Sequence, residues 1–114
     1  MNHAQLVKTL AKSGASILTS LDPQQVHLWH MVTGIVGEAG ELSEAVKKHI
    51  AYNKPLDRDN VIEELGDLEF YMEGLRQGLE ITREETIEHN IAKLTKRYAA
   101  GYSDAAAQQR ADKQ

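Results

Sequence analysis

At 114 residues the chain is the size of one domain with a modest core, and 41% hydrophobic and 26% charged residues are ordinary globular values. The net charge of −4 gives nucleic-acid binding no electrostatic help, and no apolar run approaches the roughly 20 residues of a membrane span. Without a cysteine, disulfides, thiolate zinc sites and iron–sulfur clusters are excluded. No signal peptide opens the chain, so the expected setting is cytoplasmic, with neither membrane nor nucleic acid as partner.

Leu6, Val7 and Leu10 sit among polar residues over 2–13, a short helix ended near Gly14, and residues 14–21 read as a connector. Asp22-Pro23 starts the next helix, with Asp22 as N-cap and Pro23 at the first helical position. From there Leu28, Val32, Ile35, Ala39, Leu42 and Val46 recur in steps of four and three, an apolar seam running to about Tyr52. Asn53-Lys54-Pro55 breaks it.

A second long helix starts at Asp57 or Asp59, with Val61, Leu65, Leu68, Met72, Leu75 and Leu79 as its seam and Gly78 near its end. Thr82-Arg83-Glu84-Glu85 is a capping box opening a further helix, seamed by Ile87, Ile91, Leu94 and Tyr98 and stopping at Gly101. The tail from Ser103 to Gln114 is polar and seamless, a frayed helix or disordered. The predicted fold is therefore all-α. It is one helical domain over 1–114, a bundle of about four helices with its core at about 22–102 and a polar tail over 103–114.

Each long helix carries an acidic pair, Glu38 with Glu41 and Glu64 with Asp67. A spacing of three places both carboxylates of a pair on one helix face, roughly 5–6 Å apart at Cβ. Each acid stands one residue before a seam position, and so do Asn90, Lys93 and Arg97 on the later helix. The polar stripes therefore occupy the same flank of their seams, about 100° round. Short loops favour antiparallel neighbours, so packing along the seams lines one groove with four carboxylates and two cations. Carboxylates without imidazole or thiolate suit Mg²⁺, with Mn²⁺ as substitute, and a metal–polyphosphate is the natural guest. A carboxylate not spent on the ion is placed to take a proton from an attacking water.

His27 and His30 share the acidic face almost three turns before Glu38 and Glu41, roughly 16 Å away, with the Trp29 ring nearby. That distance suits the far end of a nucleotide, although a buried tryptophan flanked by solvated histidines fits equally. Gly34, Gly37 and Gly40, at spacing three in mid-helix, point to close helix approach, to room for a ligand beside the acids, or to both.

The chain resembles the MazG-like all-α nucleoside triphosphate pyrophosphohydrolases, whose relatives include dimeric dUTPases and dCTP pyrophosphatases. The resemblance rests on Gly37-Glu38-Ala39-Gly40-Glu41-Leu42, Glu63-Glu64-Leu65-Gly66-Asp67 and the run from Asn90 to Tyr98, and covers roughly residues 24–102. It implies Mg²⁺-dependent cleavage between the α- and β-phosphates of a nucleoside triphosphate, in a homo-oligomer (dimer or tetramer) that sanitises nucleotide pools. Glu38, Glu41, Glu64 and Asp67 would then ligate metal, with Glu41 and Glu38 also acting on the water. Asn90, Lys93 and Arg97 would meet the phosphates, and His27, Trp29, His30 and Tyr102 the nucleoside. Two other readings of the same helices are a carboxylate-bridged di-iron bundle and a non-catalytic interaction module. The first wants Glu-x-x-His where Glu41 and Asp67 stand.

Overall fold

The computed structural model describes residues 1–110, and among these every regular element is an α-helix, without a strand. Six helices follow in order: α1 (His3–Leu10), α2 (Gly14–Ser20), α3 (Pro23–Ala51), α4 (Arg58–Gly78), α5 (Arg83–Arg97) and α6 (Asp104–Gln109).

Every N-terminus is capped by a side chain of the preferred kind. Asn2 and Asp22 form reciprocal capping boxes with Gln5 and Gln25, and Pro23 occupies the first turn of α3. Asp57 accepts the Asn60 N–H, and Thr82 accepts that of Glu85, one half of the expected box. The segment 14–21, expected as a connector, is instead largely α2, because Ser13 accepts the Ser16 N–H and makes Gly14 a first-turn residue rather than a stop. Part of the expected polar tail is α6, capped by Ser103, while residues 111–114 lie outside the described chain.

α3 ends at Tyr52 and Asn53, the latter with positive φ, and His49 Nδ1 reaches the Lys54 carbonyl across the turn. α4 ends in a Schellman motif: Ile81 N–H bonds to the Arg76 carbonyl at 2.9 Å and Glu80 N–H to that of Gln77 at 3.3 Å. The residue this motif puts in the left-handed region is Glu80, at φ 56°, not Gly78.

α3 and α4 pack along each other, and their partners run in opposite senses. Gln24 Nε2 donates to the Gly78 carbonyl (3.1 Å) and His27 Nε2–H to that of Gly74 (2.9 Å). Farther along α3, Gly34 faces the Tyr71 ring, and Glu38 then meets Glu64. The facing stripe is thus His27, Met31, Gly34 and Glu38 against Glu64, Tyr71, Gly74 and Gly78. Packing along the seams was the expectation; the helices meet instead on the neighbouring flank, one residue away. The reason is size: Gly34 and Gly74 let Tyr71 and Met31 in where a Cβ would collide with them. Met31 and Ala45, on that stripe, are the buried hydrophobics, at 7% and 6% exposure. The seam is left half open, with Val32, Val46 and Leu65 all exposed.

The other described helices do not close a bundle around this pair. Apart from α3 with α4, α5 and α6 are the helices in sustained contact. The Cα radius of gyration is 19.8 Å, against about 13 Å for a compact chain of this length. Accessible surface is 9203 Å², where about 6,200 Å² is usual for a folded monomer of this mass. Among the described residues the expected four-helix bundle is therefore not completed within one chain: α1 and α2 pack along no other helix, and the sustained contact of α5 is with the short α6.

Candidate metal centre

The flank on which α3 and α4 meet is apolar and glycine-rich toward one end and acidic midway. Glu38 from α3 and Glu64 and Asp67 from α4 each offer a carboxylate oxygen, and these oxygens lie within 4.8 Å of one another. Glu38 and Glu64 are half-buried and Asp67 is exposed, so the group opens to solvent on one side.

Its electrostatics are one-sided. Glu64 is pushed up from 4.5 to about 7, first by its hydrogen bond with Glu38, then by burial, then by the charges of Glu38, Asp67 and Glu41. Two carboxyl groups that hydrogen-bond must hold a proton between them. Glu64 Oε2 is buried with no partner. An orphaned carboxylate oxygen among crowded acids is what a divalent cation would satisfy, and oxygen donors without imidazole or thiolate suit a hard one. The donor set fits such an ion, held by Glu38, Glu64 and Asp67.

Glu41 stands one turn beyond Glu38 on the facing stripe; its charge reaches Glu64, but it is outside the trio that converges. α5, which carries Asn90, Lys93 and Arg97, makes no sustained contact with α3 or α4, and its first turn borders them at Thr86, in a recess with Ile35, Met72 and Leu75. Lys93 and Arg97 are half-buried, and the Arg97 guanidinium lies over the Tyr98 ring, 5.8 Å from its centroid. The structure also separates the four aromatic and imidazole candidates. The His27 ring is tied to the Gly74 carbonyl, and His30 meets Tyr71 edge-on with centroids 6.1 Å apart. Trp29 lies nine residues from Glu38, half a turn round α3, and lines a recess with Ile17, Leu21 and Val26. Tyr102 donates its hydroxyl to Asp104 (3.0 Å), which raises its pKa, and packs against Tyr98.

Tyr71 is a residue of the site that the sequence pattern does not single out. It continues the stripe of Glu64 and Asp67, fills the space over Gly34 and meets His30, walling the groove beside the acids. The available signal was an aromatic four residues after Asp67, level with a glycine on the opposing helix. The three mid-helix glycines divide: a Cβ on Gly34 would strike Tyr71, whereas one on Gly37 or Gly40 would meet open space.

A helix pair whose interface is built from carboxylates at mid-length defines a class of all-α proteins suited to divalent-metal binding. The chain belongs to the MazG nucleotide pyrophosphohydrolase domain family, whose profile matches residues 27–101. It is also similar to the Gene 37 protein of Mycobacterium phage L5, at 32% identity over 78 residues, 65% of this chain and 68% of that protein. No solved structure matches it.

Proposed function

We propose that the protein is a Mg²⁺-dependent nucleoside triphosphate pyrophosphohydrolase, with Mn²⁺ as substitute, that cleaves between the α- and β-phosphates to release a nucleoside monophosphate and pyrophosphate. The carrying observation is the convergence of Glu38, Glu64 and Asp67 with Glu64 driven to about 7 by its acidic neighbours. Membership of the family supports the reaction class.

Glu38, Glu64 and Asp67 hold the ion, whose charge offsets that of the triphosphate when bound. Glu41, on the same stripe but outside the trio, keeps its carboxylate for the nucleophilic water, and Glu38, one turn away on the same face, orients that water. As the water oxygen bonds to phosphorus, Glu41 takes its proton, and the bridging oxygen leaves with the pyrophosphate. Asn90, Lys93 and Arg97 neutralise the phosphates. Because α5 borders the α3–α4 pair at its first turn and makes no sustained contact along it, the assembly of copies decides which acidic group its stripe faces.

A homo-oligomer, dimer or tetramer, built on antiparallel α3–α4 pairs, is part of this reading. The surface in excess of a compact monomer, roughly 3,000 Å² per chain, is well above the ~800 Å² per partner of a standard interface. The substrate pool is the cytoplasmic nucleotides, with house-cleaning as the role.

The test is pyrophosphate release from a panel of dNTPs and NTPs. Release should need Mg²⁺ or Mn²⁺, stop with EDTA, and disappear in Glu41→Gln and Asp67→Asn chains that keep wild-type helicity and mass. Metal-independent release, or none from any nucleotide, would favour the non-catalytic helical module.

A further inference from the structure

Residues before His27 precede the segment that matches the family, and none of them belongs to the carboxylate group. They form α1 and α2, and both helices expose apolar side chains. Leu6, Val7 and Leu10 share one face of α1, with Leu10 72% exposed, and no described helix packs along it. At the elbow between α2 and α3, Ile17, Leu21, Val26 and Trp29 line an open apolar recess. Trp29 is 70% exposed there, on the side of α3 turned away from α4. An uncovered apolar helix face and an uncovered apolar recess are each unfavourable in water, and together they are complementary.

We infer that the N-terminal arm is exchanged between two copies of this chain, α1 of each laying Leu6, Val7 and Leu10 into the Ile17–Leu21–Val26–Trp29 recess of the other. This rests on the oligomeric reading above, and two observations choose the occupant. The area left uncovered is larger than one standard interface needs, so the arm is available as contact surface in addition to the open seams. Charge is complementary as well. Residues 1–13, which carry α1, contain Lys8 and Lys12 and no acid, while Asp22 stands between Leu21 and Val26 of the recess. Reciprocal exchange closes under a two-fold axis, so it ends in a dimer contact rather than a filament. An anionic lipid surface would attract the same lysines, but two cations and three apolar residues make a weak anchor.

The chain has no cysteine, so introduced thiols report the contact without background. Chains carrying Leu10→Cys are mixed with chains carrying Val26→Cys and oxidised mildly. Disulfide-linked dimers of unlike chains should form, well beyond the yield with Tyr52→Cys, another exposed site. A yield no higher than that control overturns the exchange. So does a Leu10→Cys, Val26→Cys double variant that closes within a single chain at monomer mass.

Leu10→Asp supplies a second readout through the sole tryptophan. It should raise the dissociation constant at least about tenfold, shift Trp29 emission to the red and increase its quenching by acrylamide. Wild-type protein that sediments as a monomer at every concentration refutes the assembly and the exchange together. An unchanged oligomer with unchanged quenching in Leu10→Asp refutes the exchange alone. Leu10-dependent binding to phosphatidylserine vesicles without cross-linking assigns the arm to a lipid surface instead.

Discussion

Glu64 is the residue on which the acidic group turns. Its carboxyl titrates near 7 instead of 4.5, because the hydrogen bond to Glu38 and the surrounding charges favour the protonated form. A carboxyl raised in the folded state contributes stability that is full below about 4.5, declines as pH rises and is gone above about 7. Metal-free protein should therefore lose Tm between those pH values, whereas Glu64→Gln, which keeps the shape without the charge, should flatten that slope. A divalent ion takes the place of the proton, so Mg²⁺ should raise the wild-type Tm more at pH 8 than at pH 5.5 and leave Glu64→Gln nearly unmoved. Parallel melting curves for the two proteins across the window would show that Glu64 is unstrained. The acids were legible in the sequence because a spacing of three on two helices has one geometric meaning. That Glu38, Glu64 and Asp67 converge while Glu41 stands a turn aside was not legible, since it depends on the offset at which the helices meet. Trp29 shows the same limit: the sequence sets it beside His30, and only the structure places it half a turn round α3 from Glu38, lining a recess with Ile17 and Leu21.

At the scale of the helix, spacing located the long elements well, since Asp22, Asp57 and Thr82 cap where cap chemistry says they should. It failed on which face meets which. A periodic apolar seam identifies a helix, but small residues decide how near another can come, and Gly34 and Gly74 drew the contact onto the neighbouring flank. Substituting the glycines separates the two roles. Gly34→Ala drives a methyl into the Tyr71 ring and should cost about 1–3 kcal/mol, with loss of the groove wall. Gly37→Ala meets open space and should stabilise the helix by up to about 1 kcal/mol. Equal effects in thermal unfolding would contradict this division. If Gly37→Ala raises Tm yet lowers pyrophosphate release, substrate or a partner uses the face it opens. The end of α4 offers an independent check. Glu80 holds a left-handed conformation that glycine adopts freely. Glu80→Gly should therefore gain roughly 1 kcal/mol, and a loss would mean that its side chain is engaged elsewhere.

In the whole molecule, helices of high local quality surround almost no private core. Caps and seams made each helix readable, yet among the described residues Met31 and Ala45 are the buried hydrophobics, and the accessible surface is half as large again as a compact monomer's. No periodicity argument could reveal that, because an apolar stripe looks the same whether its partner belongs to the same chain or to another. The energetic consequence bears on the proposed assembly: ordering this many residues costs far more than one helix interface returns, and association of copies would supply the burial a single chain lacks, coupling it to folding. Unfolding should then depend on protein concentration, with Tm falling steadily across a roughly hundredfold dilution. The steepness of denaturant unfolding should match burial for the full assembly rather than for an isolated α3–α4 pair. Breaking the open seam tests the same coupling locally. Val32→Asp leaves the α3–α4 contact and the acids untouched, so in a self-sufficient monomer it would alter stability little. In a shared core it should dissociate the protein and melt most of the helix, seen as a joint loss of mass in sedimentation and of ellipticity. Retained helicity in dissociated chains would mean that the pair stands alone and that the open seams serve some purpose other than folding.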